Sequence, residues 1–172
     1  MKYLNKKGDT IIEVILAMAM LSLVLFSSWA ITNRASQVSL TARQRVVMVN
    51  QLREQAELLK AMNQADRETI SKLTQSGTNN KISENPCADV DIYSADAPVP
   101  DGAFYIELNG DALGFKNGTK NVAEDTTQRV WIQKEVKSAT QGFGDFYVRA
   151  CWATSGGKQK LDNSHLIVRI NT

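Results

Sequence analysis

The sequence predicts an α+β protein: one long N-terminal helix, apolar and membrane-spanning in its first half, packed on a C-terminal antiparallel sheet of about four strands. Three observations carry this. No Pro or Gly interrupts the stretch from Asp9 to Met62. From Ile11 to Ile31 the only charged residue is Glu13. Beyond Gly102 the apolar residues recur with the period of two that strands require.

The helix comes first. A bilayer core about 30 Å thick is crossed by roughly 20 helical residues. Val14 to Ile31 supplies most of these and Ile11 and Ile12 the rest. Trp29 lies near the outer end, where an indole favours the interface, and Lys2, Lys6 and Lys7 precede the span and should stay cytoplasmic. That orientation places residues 33–172 outside. Three readings of the span stand side by side: a secretory signal cut after it, a permanent single-pass anchor, and a leader cut before it. The apolar core is longer than a secretory signal needs, and the helical pattern continues straight through its end. Glu13 bears on all three. A carboxylate at the edge of an apolar span costs a few kcal/mol on insertion scales, so it needs a partner from another molecule or must snorkel.

The segment Lys6-Lys7-Gly8-Asp9-Thr10-Ile11-Ile12-Glu13-Val14 resembles the class III leader of type IV pilins and type II secretion pseudopilins. The likeness covers roughly residues 6–31. It implies a leader of residues 1–8, cleavage by prepilin peptidase between Gly8 and Asp9, and Glu13 as the fifth residue of the mature chain. Residues 9–32 would then form the transmembrane and later filament-core half of the helix, and 33–172 the exported pilin-like head. It further implies insertion in the cytoplasmic membrane as a prepilin, then assembly with other pilin subunits into a surface pilus or envelope pseudopilus. Glu13 of one subunit would meet the freed α-amino group of a neighbour, since a buried charge is tolerated when paired. Two departures point to a minor or divergent subunit. Asp9 stands where the family has Phe or Met and methylates its amine, and the family's proline in the apolar half is missing. The alternative is an uncleaved, membrane-anchored protein with an extracytoplasmic binding domain.

After the span, Asn33 to Met62 continues as an amphipathic helix, with Val38, Val46, Val49, Leu52, Ala56 and Leu59 at spacings near three and four. The whole helix would be on the order of 80 Å long. Arg34, Arg43 and Arg45 read as a solvated face or headgroup contacts rather than a DNA site, since no aromatic residue lies near to stack on bases. Gln64 to Gln75 suggests a second short helix capped by Asp66. Ser83 to Gly102 reads as a loop. Strands are expected at Ala103–Leu108, Arg129–Val136, Phe146–Ala153 and Leu166–Ile170, their apolar face buried on the helix stripe of residues 46–59.

The composition includes two cysteines, Cys87 and Cys151, and one histidine. Export makes a disulfide their default state, with two buried thiols as the alternative. The bond would close a loop of about 64 residues and pin the 83–102 loop to the sheet. A four-ligand Cys/His zinc site cannot be built from this inventory. Asp89, Asp91, Asp96 and Asp101 cluster in the loop. Some pseudopilins bind calcium in such loops, but the spacing is not that of an EF-hand, and the acids read as solvated. No catalytic constellation is found. His165 and Ser164 are adjacent at the start of the last expected strand, where neighbours point to opposite faces. No cofactor is implied.

Overall fold

A computed structural model describes residues 9–70, 82–88, 90–93, 99–110, 112–122, 127–135, 143–154 and 161–171. The chain is α+β, as the sequence predicts. Helix α1 runs Asp9–Ala65 and is followed by strands β1 (Phe104–Asn109), β2 (Ala112–Asn117), β3 (Lys120–Asn121), β4 (Gln128–Glu135), β5 (Phe143–Ala153) and β6 (Leu161–Asn171). Two compact units divide within α1, Met1–Thr41 and Ala42–Thr172.

In the first unit the side chains from Ile11 to Ile31 are exposed almost without exception, with only Ala30 half-covered. Three hydroxyls among and beside them bond back to the helix itself. Ser22 and Ser27 donate to the carbonyls of Met18 and Leu23 at 2.7 and 2.6 Å, and Thr32 donates to Ser28 O at 2.9 Å. This internal satisfaction is what an apolar solvent demands of a hydroxyl. By length and composition α1 can cross a membrane, with a mean hydropathy of 2.3 in its most apolar window.

In the second unit α1 buries Met48, Leu52, Gln55, Ala56, Leu59 and Met62, which share one face at spacings of three and four. That stripe packs on one face of a six-stranded antiparallel sheet ordered β2-β1-β4-β5-β6, with β3 also paired to β4. Strand alternation sorts the residues: Val130 and Ile132, Phe146, Val148, Ala150 and Trp152, Val168 and Ile170 all turn toward the helix side. Phe104 and Phe146 meet edge to face, centroids 6.4 Å apart.

The expected stripe is shifted. Val38 and Val46 are exposed and Val49 is only half-buried, whereas Met48 is fully buried. Two strands were not expected from the sequence, β2 and β3. The β1–β2 register pairs Asn109 with Ala112, and Gly110, directly after Asn109, has φ 64°. A positive φ at the first loop position suits tight hairpins and is open to glycine without strain. The second helix begins at Arg67, and Asp66 caps it by accepting Thr69 N–H at 3.0 Å. Residues 71–75 of that expected helix, and Val136, lie outside the described residues.

Gln55 joins helix to sheet. Strand β1 pairs with β4 only at Phe104↔Ile132. Two residues on, Gln55 occupies the place of a strand partner. Its Nε2 donates to Ile106 O at 3.0 Å, and its Oε1 accepts Ile106 N–H at 2.9 Å. Both residues are fully buried, so each amide group satisfies one that water cannot reach.

Candidate assembly helix and strapped face

Gly8 lies outside the described residues, and α1 begins at Asp9, the residue that follows it. Glu13 sits one turn in, exposed on a helix surface of isoleucine, valine and leucine. No ion pair or hydrogen bond joins its carboxylate to another described residue. In hydrocarbon such a group calls for a partner, and none is supplied along this helix before Arg34. The surface from Ile11 to Ile31 can therefore do two things chemically. It can dissolve in lipid, or it can pack against other apolar helices once a cation reaches Glu13.

The far face of the sheet carries the disulfide. Cys87, on a 3₁₀ turn over Pro86–Ala88, is bonded to Cys151 on β5, with Cα atoms 5.3 Å apart. Val90, Ile92, Ala103, Trp131 and Cys151 form a second apolar cluster there, so residues 86–88 and 90–92 cover the sheet like a strap. Polar contacts hold the same segment. Asn85 Oδ1 accepts Cys87 N–H at 3.0 Å and Asn163 Nδ2 at 3.2 Å. Arg149, 1% exposed, donates to the Ser83 carbonyl and to Gln133 Oε1 at 2.7 Å, and lies 5.8 Å from the centre of the Trp131 ring. A cation taken out of water is thus returned polar and π contacts. The Cys87–Cys151 pairing expected from export is present. The Arg149, Trp131 and Gln133 group was not foreseen. Its only sequence signal is charged and amide residues interrupting two strongly apolar strands.

Of the four loop acids, Asp91 and Asp101 are among the described residues. Asp91 accepts Tyr93 N–H at 2.9 Å, which makes it a turn former. Asp89 and Asp96 lie outside the described residues. Among the described residues no three His, Cys, Asp or Glu side chains form a metal cage. His165 does not open the last strand: β6 begins at Leu161, because it extends through the polar run Asp162–His165 beside Cys151 and its neighbours. His165 is exposed, its ring centre 6.4 Å from that of Tyr147, and it pairs across with Arg149 while Ser164 pairs with Ala150. The two side chains therefore project from opposite faces. Arg34, Arg43 and Arg45 are all exposed on α1.

Ion pairs also join neighbouring strands of the sheet. Lys116 donates to Glu107 at 2.6 Å, and this hydrogen bond holds the Glu107 carboxyl below its ordinary pKa and raises that of Lys116. Arg169 grips Asp145 with two bonds of 2.7 and 3.0 Å. Comparison with models of known protein families, with curated proteins and with solved structures finds no match to this chain.

Proposed function

We propose that this chain is a structural subunit of a type IV pilus or pseudopilus, made as a membrane-inserted prepilin, cut between Gly8 and Asp9, and polymerised through α1. The observation that carries the reading is the apolar surface of α1 from Ile11 to Ile31, exposed on all sides and interrupted only by the carboxylate of Glu13, which no other described residue pairs. A lone acid is expensive in a helix that merely anchors. It is useful in a helix that leaves lipid for a packed core, where a partner's α-amino group can meet it. Cleavage after Gly8 would create that amine. The leader would keep the subunit from polymerising until it is removed. The disulfide-strapped head fits an oxidising exterior, and the departures at Asp9 and in the proline-free apolar half favour a minor or divergent subunit.

The test is Glu13→Ala. The variant should be inserted and cleaved like the parent yet be depleted from sheared surface filaments. Incorporation equal to the parent's would remove the pairing role. The chain could then be read as a single-pass anchored protein with an exported domain.

A further inference from the structure

Charge is segregated along this chain. From Val14 to Arg53 there are four arginines and no acid; from Ile82 to Phe115 there are seven acids and no Lys or Arg. Two of these arginines, Arg45 and Arg53, flank an apolar groove of about 430 Å³ that is also lined by Ala42, Val46, Val49 and Asn50. This face of α1 is turned roughly 100° from the stripe that the sheet buries. Val46 is 59% exposed. Among the described residues, no ion pair or hydrogen bond joins Arg45 or Arg53 to an acid of the head. On the acidic side, Glu84 and Asp91 are exposed, and Tyr93 beside Asp91 is 46% exposed. The disulfide at Cys87 fixes that segment to the sheet.

We propose that the groove on α1 docks the acidic strap of a second copy of this chain, Arg45 and Arg53 facing Glu84 and Asp91, with Tyr93 against Val46 and Val49. Both surfaces are carried by every copy and do not meet within one. The contact is therefore head-to-tail between unlike patches, the kind that propagates rather than closing as a two-fold dimer. It rests on the pilus reading in that it says which head surfaces neighbouring subunits share. Opposed charge sets register and excludes like-charged partners, and the valines supply dry contact.

The test uses the full-length chain in its membrane, with a photoreactive phenylalanine replacing Val49. Irradiation should join position 49 to a peptide of a second copy that contains Asp91. Arg45→Glu with Arg53→Glu should cut that yield about tenfold through like-charge contact. Adding Glu84→Lys with Asp91→Lys should restore it. Cross-linking to a different peptide, to another protein or to lipid, no cross-link at all, or failure of the reversed pair to rescue would each overturn the proposal. The N-terminus of the same sample keeps the two ideas apart. A chain that retains Met1 but cross-links as described has the contact without the pilin processing. A chain that starts at Asp9 without the cross-link has the reverse.

Discussion

Gln55→Leu keeps nearly the volume of the glutamine side chain and deletes both of its bonds to Ile106. The Ile106 N–H and C=O are then buried with no partner, because β4 has already diverged from β1 and α1 closes the gap against water. Each orphaned group costs about 1–3 kcal/mol, so the expected loss is about 2–5 kcal/mol, less whatever leucine regains by burial. A loss near 3 kcal/mol lowers the melting temperature of a head of this size by roughly 10 °C. Gln55→Glu separates the two bonds. The introduced carboxylate can still accept Ile106 N–H, but it opposes Ile106 O, and burial plus that carbonyl raise its folded-state pKa. A raised folded value means that the variant regains stability as pH falls through that value toward the ordinary glutamate range, where the protonated oxygen can donate to Ile106 O. Near-UV circular dichroism, which reports the buried Trp131 and Trp152, gives the melting curves of the full chain in detergent. A Gln55→Leu variant within about 0.5 kcal/mol of the parent would refute this account of how helix and sheet are joined.

Three further outcomes follow from the same contacts. Cys87→Ser with Cys151→Ser should lower the urea midpoint by a loss of up to about 4 kcal/mol, the loop-entropy ceiling for a 64-residue separation. The strap's contacts through Asn85 and Arg149 should still leave a cooperative transition. Glu107→Gln should flatten the acid limb of stability against pH. Because Glu107 is held below its ordinary pKa, its contribution is complete above that ordinary value and lost as pH falls through the lowered one; an unchanged acid limb would mean that Lys116 does not act on it. Asp66→Ala should cost about 1 kcal/mol through loss of the cap on Thr69 N–H, read as the same midpoint shift.

Much of the fold was legible because the strong patterns lie where burial is strongest. In β4 and β5, strict alternation at Val130 and Ile132 and from Phe146 to Trp152 marks strands that are covered on both faces at their centres. Strand β2 was not legible, since Ala112–Asn117 sits at the sheet edge with Phe115 40% exposed and has little alternation to show. The Asn109-Gly110-Asp111 turn ahead of it was the available signal. The start of β6 was hidden because Asp162, Asn163, Ser164 and His165 pair with β5 through their backbones while their side chains are polar. The helix stripe was placed by its valines, and packing chose Met48 instead, a flexible side chain that fills the space at the sheet. Gln55 was invisible for a related reason: an amide three residues from Leu52 and four from Leu59 reads as a solvated interruption until β1 is seen opposite it. At the N-terminus the sequence carries almost everything, since the spacing of Gly8, Asp9 and Glu13 is chemical information that folding of the head does not alter.

The central claim is that α1 is a processed assembly element, and the N-terminus of the protein recovered from the envelope tests it most directly. Intact mass and N-terminal sequencing should show a chain that begins at Asp9, lacks residues 1–8 and keeps the whole apolar helix. A chain that retains Met1, or one that starts beyond residue 30, would contradict it.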